Sequence, residues 1–157
     1  KIKISVDNEG DDYVLAVDAL TANRFKMDVI ASNLANVDTT RARINEDGEW
    51  EPYRRKLVTQ EARGGQFNSF LHKAMNKSDS VGKGVRIRSV VEDQTPFKQI
   101  YNPSHPDADE LGYVQMPNVD PLQEMINLMS VTRAYEANVT ALNASKGMLM
   151  KALEIGK

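Results

Sequence analysis

At 157 residues the chain has room for one compact core, since a domain takes roughly 100–200 residues. Charged side chains make up 27% and large aromatics 6%, so the apolar material is mainly aliphatic and suits helices. A formal net charge of -2 lacks the strongly basic surface on which nucleic-acid binding relies, and the absence of cysteine excludes disulfides, thiolate zinc sites and cysteine nucleophiles.

No run of about 18 apolar residues is present, so no membrane insertion is expected. The first residues also lack the apolar stretch of a secretory signal, so export would need another route. The chain begins at Lys1, and residues 1–12 are set apart as an atypical N-terminal segment, open to an artificial origin.

From Tyr13 to Val37 the apolar residues recur at helical spacing. Tyr13, Leu20, Met27 and Leu34 stand seven apart, Ala16, Ile30 and Val37 follow the adjacent row, and Asn23 interrupts it. The pattern predicts an amphipathic helix, packed on its own domain or paired as a coiled coil; both stay open at this point.

The middle of the chain reads differently. Pro52 to Thr59, Val85 to Arg88 and Gly112 to Met116 have strand-like content and predict a small sheet. Gly64-Gly65 and the polar stretch 76–84 mark turns, and Phe67, Phe70, Leu71 and Met75 between them suit either a short amphipathic helical turn or a flexible loop near 61–84.

A second helix is announced by Asp120 as N-cap, Pro121 at the first helical position and Gln123 where a capping-box partner would reach back. No further proline follows, and the one glycine is Gly147, so the helix is predicted to run to Ile155. Leu128, Tyr135, Leu142 and Leu149 stand seven apart, with Met125, Val139 and Leu153 on a neighbouring row that Thr132 and Lys146 break. So long an apolar stripe exceeds what the remaining chain can cover, which predicts contacts with the first helix, with other subunits, or with both.

Candidates for chemistry are weak. The run from Asn102 to Glu110 gathers His105, Asp107, Asp109 and Glu110, but its two prolines and its Asp, Asn and Ser content are those of a turn, and neither a zinc nor a calcium pattern is present. His72 has no nucleophile motif beside it, and Gly82-Lys83-Gly84 lacks the phosphate-loop setting. Arg54-Arg55-Lys56 follows Trp50 and Tyr53, yet Glu49, Glu51 and Glu61 offset its charge, so it reads as a solvated strand face. No catalytic, cofactor or metal site is expected.

Two stretches carry a resemblance. Ala19 to Ala22, Met27 to Ile30 and Ser32-Asn33-Leu34-Ala35-Asn36-Val37-Asp38-Thr39-Thr40-Arg41 resemble the N-terminal signature of the flagellar rod and hook family of axial proteins. The Thr39-Thr40-Arg41 ending points to a proximal-rod type within it. Asp107 to Asp109, Gly112 to Val114, Pro117 to Pro121, Glu124-Met125 and Arg133 to Val139 resemble the C-terminal half of the same type, in the correct order.

The resemblance implies a mainly α protein with a small β middle. Residues 13–40 and 120–157 would form terminal helices that pair as a coiled coil, with a β-rich domain at 41–119 between them. It implies a structural subunit of the basal-body rod, periplasmic or wall-spanning, that assembles with copies of itself and other rod proteins into a helical tube. That tube transmits motor torque and walls the export channel. A neighbouring MS-ring/rod adaptor and the type III export apparatus become expected partners, and export proceeds without a cleaved signal peptide.

Assembly is expected to rest on Leu20, Met27, Ile30, Leu34, Asn36, Val37, Thr39 and Thr40 of the first helix and its exit. In the second helix it is expected to rest on Met125, Leu128, Val131, Tyr135, Asn138, Val139, Leu142, Leu149 and Leu153. Two other classes compete. A coiled-coil adaptor for a soluble partner would use the same helices, and a cell-wall glycan hydrolase would need Glu92 or Asp93 to meet the carboxylates at 107–110.

Overall fold

The computed structural model describes residues 9–46, 48–62 and 84–155. The helical turn or loop expected around Phe67 to Met75, His72, and most of the atypical N-terminal segment lie outside the described residues. In chain order the elements are α1 (Glu9–Ala35), β1 (Arg43–Ile44), β2 (Trp50–Glu51), β3 (Lys56–Ala62), β4 (Val85–Glu92), β5 (Lys98–Tyr101), β6 (Tyr113–Met116) and α2 (Pro121–Ile155). The mainly helical class with a small β middle is therefore observed.

The second helix has the bounds that its caps predict. Asp120 Oδ1 accepts from the backbone N–H groups of Leu122 at 3.0 Å and Gln123 at 3.4 Å, which satisfies donors that the first turn leaves without an intrahelical acceptor. Gln123 does not complete a capping box; its amide donates along the helix to Asn127 Oδ1 at 3.2 Å. The first helix begins at Glu9, earlier than the apolar pattern marks, and stops at Ala35, two residues before Val37.

Instead of one sheet, the described residues of the middle form three two-stranded pairs, β1–β2, β3–β4 and β5–β6. β1 and β2 are antiparallel, with Arg43 opposite Glu51 and Ile44 opposite Trp50. Their turn uses Asn45, whose Oδ1 accepts from Glu49 N at 2.8 Å, and Gly48, whose φ of +85° suits glycine. Across β3 and β4, Thr59 Oγ1 donates to Ser89 O at 2.9 Å, and Arg86 Nε donates to Glu61 Oε1 at 2.6 Å. β5 and β6 pair from Lys98 opposite Met116 to Tyr101 opposite Tyr113, whose rings meet edge to face at 5.3 Å.

The chain divides into two compact units. One comprises Lys1–Phe25, Thr59–Ser89 and Val131–Lys157; the other comprises Lys26–Val58 and Val90–Ser130. In the second unit the buried apolar side chains among the described residues include Tyr53, Val114, Val119 and Pro117, beside which two polar ones, Asn33 and Glu124, are only 1% exposed.

Two glycines should respond in opposite directions to replacement by alanine. Gly112 has a φ of +82°, and a Cβ there would meet Pro103 and Tyr101 side-chain atoms at 3.0 Å. Gly112→Ala is expected to cost on the order of 1–3 kcal/mol. Gly147 lies in α2 with nothing within 4 Å of an added Cβ, so Gly147→Ala should gain about 0.5–1 kcal/mol of helix stability. Urea unfolding followed by Trp50 fluorescence for the first and by circular dichroism for the second checks both signs.

Candidate functional site

The residues that follow α1 form a turn in which Asn36 and Thr39 hydrogen-bond both by side chain and by backbone. The Asn36 side-chain amide donates to Ser32 O at 2.8 Å while its backbone N–H donates to the same carbonyl at 3.2 Å, so the helix ends on its own side-chain cap. Thr39 Oγ1 donates to Asn36 Oδ1 at 3.2 Å, and Tyr53 N donates to Thr39 O at 3.0 Å, which draws the segment before β3 against this turn.

One turn earlier in α1, Asn33 is buried with all four of its hydrogen-bonding positions filled. Its Nδ2 donates to Lys56 O at 2.9 Å and to Glu124 Oε2 at 3.0 Å. Its Oδ1 accepts from Lys56 N at 2.9 Å and from Tyr53 Oη at 3.0 Å. An amide offers two donors and one oxygen with two lone pairs, so nothing is left over. Because Lys56 presents both a backbone donor and a backbone acceptor, the side chain can face it in one orientation only.

Glu124 lies in the first turn of α2, 91 residues from Asn33. Its other carboxylate oxygen, Oε1, accepts from Arg55 Nε at 2.9 Å and from Arg55 Nη2 at 2.5 Å. The Arg55 guanidinium also lies 3.6 Å from Asp93 Oδ2, and the Arg55 backbone N–H donates to Asn118 Oδ1 at 2.8 Å. Asn118 in turn donates to Asp93 O at 3.1 Å and Thr95 Oγ1 at 2.9 Å. The Asp93 carboxyl is held below the usual carboxylate range, chiefly by the backbone and hydroxyl donors of Thr95 and then by the Arg55 charge.

A second bridge joins the turn after α1 to the acid-rich turn before β6. Thr40 Oγ1 donates to Asp107 Oδ2 at 2.7 Å, and Arg41 Nε donates to Asp107 Oδ1 at 2.6 Å, with Arg41 Nη2 on the same oxygen. The Arg41 and Thr40 donors hold the Asp107 carboxyl below its ordinary range. The rest of the 102–110 run is turn structure: His105 N donates to Asn102 O at 3.1 Å, and Asp109 Oδ1 accepts from Leu111 N at 2.9 Å and Tyr113 N at 2.7 Å. Among the described residues no three side chains of metal-ligand type come together.

The residues expected to serve assembly fall into three settings. Asn36, Thr39 and Thr40 are gathered in the turn just described. Leu20, Met27, Ile30, Leu34 and Val37 are half-buried, as are Leu128, Val131, Tyr135, Asn138, Val139 and Leu142. Met125, Leu149 and Leu153 are exposed.

Arg54-Arg55-Lys56 is not a uniformly solvated strand face. Only Lys56 belongs to a strand, Arg55 pairs with a buried carboxylate, and the Arg54 guanidinium lies 4.3 Å from the Phe97 ring centroid. No local signal marks Arg55 or Glu124, because a carboxylate in the first turn of a helix ordinarily answers the helix dipole from solvent.

Among the described residues, then, the end of α1 is joined to the start of α2 by this buried contact, and apolar side chains lie exposed along α2. Residues 15–43 match the family model described as flagella basal body rod protein, and residues 110–155 match that described as flagellar basal body rod FlgEFG protein C-terminal. The flagellar basal-body rod protein FlgC of Bacillus subtilis is 57% identical over 91% of this chain and 95% of its own length. The FlgC proteins of Borreliella burgdorferi and Escherichia coli O6:H1 are each 41% identical, over 90% and 92% of this chain and 93% and 96% of their own lengths. The chain belongs to the FlgC family of structural proteins of the flagellar basal-body rod. The two matched stretches contain the two partners of the buried contact, Asn33 and Glu124.

The pH response of the second bridge follows from the Asp107 shift. Its carboxyl titrates below the unfolded value of about 3.9, so its stabilising contribution is present above that pH and is lost as pH falls through the depressed folded value. Asp107→Asn should lower the urea midpoint at pH 7, and the gap to the parent protein should close as pH falls from about 5 towards 2. Urea titrations at several pH values give the comparison.

Proposed function

We propose that the chain is a subunit of the proximal part of the rod, assembling with copies of itself and with other rod proteins into a helical tube that carries motor torque and walls the export channel. The observation that carries this reading is the surface of α2. Leu122, Met125, Ile126 and Met129 near its start, and Met148, Leu149, Met150, Leu153 and Ile155 near its end, are all at least 37% exposed. Exposed apolar side chains grouped in this way support a protein contact at each end of the helix, and repeated heterologous contacts that do not close a ring generate a helical assembly.

In the assembled state α1 and α2 pair as a coiled coil, using Leu20, Met27, Ile30 and Leu34 on one side and Leu128, Val131, Tyr135, Val139, Leu142, Leu149 and Leu153 on the other. Asn36, Val37, Thr39 and Thr40 shape the exit from α1, and Met125 and Asn138 face neighbouring subunits. The export apparatus handles the chain without a cleaved signal peptide, and the MS-ring/rod adaptor lies next to it in the basal body. It catalyses no reaction and requires no cofactor. An adaptor of the same helices for a soluble partner would give no rod defect when its long helix is broken.

Ala141→Pro tests the reading. The ring removes an amide donor and clashes with the carbonyl one turn earlier, at about 3 kcal/mol or more in a helix interior. It separates Leu142 and Leu149 from the row that begins at Leu128, in a part of α2 remote in sequence from the junction. The variant is expected to keep its junction and its β1–β2 and β5–β6 pairs while losing rod incorporation and motility. Lys151→Ala, an exposed change worth within about 0.5 kcal/mol, should be silent. Motility and basal-body content of cells whose only copy is the variant, beside circular dichroism of the purified protein, decide it; normal rods would remove α2 as the assembly element.

A further inference from the structure

The described arginines of the β middle are paired with carboxylates, with one exception. Arg41 meets Asp107, Arg43 meets Glu51 and Glu92, Arg55 meets Asp93 and Glu124, and Arg86 and Arg88 both meet Glu61. Arg54 forms no ion pair or hydrogen bond among the described residues. It is nevertheless half-buried and held in place: its guanidinium lies 4.3 Å from the Phe97 ring centroid, and its Nε is buried without a partner.

Stacking on an aromatic face orients a guanidinium but uses none of its N–H donors, which lie in its own plane. A buried donor left unpaired is unfavourable, and almost every such group in a folded protein finds an acceptor. The carboxylates that flank Arg54 and Phe97 in the sequence are already engaged, Glu51 and Glu92 by Arg43, and Asp93 by Thr95 and Arg55.

We propose that Arg54, seated on Phe97, is a docking point for a side-chain carboxylate of a neighbouring chain; that this neighbour is another rod subunit rests on the rod reading. The planar fork of a guanidinium matches the two oxygens of a carboxylate, and an aromatic seat fixes the fork before the partner arrives. The strand that follows Phe97 adds apolar surface, with Ile100 49% and Tyr101 65% exposed. Arginine and aromatic side chains together are the composition of interface centres, where a single anchor carries much of the binding. Unlike the apolar side chains of α2, this point asks for one charge in one place, so it sets which neighbour fits and in what register.

The test is made in cells whose only copy of the chain is the variant. Arg54→Gln keeps an aliphatic stem over Phe97 and removes the charge; basal-body content should fall roughly tenfold or more. Arg54→Lys, which keeps the charge without the fork, should fall between that variant and the parent. With Arg54 intact, a photo-crosslinking residue in place of Pro96, exposed and next to Phe97, should join a segment of a neighbouring chain that contains Asp or Glu, as read by peptide mass spectrometry. Replacing that acid by Arg should restore rods to cells carrying Arg54→Glu, although each change alone is defective.

A purely structural role for Arg54 would not give such a rescue. Normal rods from Arg54→Gln, cross-links confined to the same chain, or failure of every charge exchange with the acids of the cross-linked segment would each overturn the proposal. Should Arg54→Gln fail to accumulate in cells, the cross-link made with Arg54 intact and the Arg54→Lys variant supply the measurement. A rescued exchange with a protein outside the basal body would keep the carboxylate contact and overturn the rod reading instead.

Discussion

A carboxylate that is 1% exposed at the start of a long helix constrains everything around it. Removing a charge from water costs several kcal/mol even after the protein relaxes, so a carboxylate is tolerated there only if its partners arrive in the right places together. They come from separate stretches of chain, Asn33 from α1 and Arg55 from before β3, and Arg55 is itself held by Asp93 after β4 and by Asn118 after β6. Buried ion pairs often add little net stability compared with apolar packing of equal volume, but they penalise wrong arrangements heavily. Beside the buried apolar side chains of this unit, which among the described residues include Pro52, Tyr53, Val114, Pro117 and Val119, such a penalty acts against other arrangements.

Asn33 turns the same constraint into a register. Its amide matches the backbone of Lys56 donor to acceptor and acceptor to donor, as a neighbouring strand would. Sliding the β3 segment by one residue would put the next residue's backbone groups out of reach and turn every side chain of the strand to the other face. Rotating α1 by one residue, about 100°, would withdraw the amide from both Lys56 and Glu124. The polar residues after α1 continue the logic: Asn36 ends the helix, Thr39 receives the Tyr53 backbone, and Thr40 with Arg41 fastens the turn to Asp107.

Legibility in the sequence followed how local the cause was. The bounds of α2 could be read because Asp120 and Pro121 act within one turn and nothing breaks the helix before Ile155. The end of α1 was harder, because the apolar rhythm runs on through Val37 while the side chain of Asn36 stops the helix at Ala35. Strand content at 85–88 and 112–116 was visible, but β5 was not, since Lys98 to Tyr101 takes its pairing from β6 across a turn built by Asp109 and Gly112. The junction lay beyond local reading altogether. Arg55 and Glu124 are 69 residues apart, and each taken alone looks like an ordinary solvated charge. The two family stretches were recognisable as patterns, yet only the fold shows that they carry the two halves of one contact.

Polar and apolar groups are used differently in the two places. Directional hydrogen bonds and a paired charge sit inside the junction, while Met125, Ile126, Met129, Met148 and Leu153 lie exposed along α2. Hydrogen bonds of fixed geometry tolerate little displacement, which suits a contact made once within a chain. Apolar contact is non-directional, and methionine in particular adapts its shape to what it meets. A subunit that has to match neighbours of related but unequal sequence benefits from that tolerance on its outer surfaces. The polar contact of Asn33 with Glu124 and the exposed apolar side chains of α2 thus answer different demands, the first on register within one chain and the second on tolerance towards what covers it.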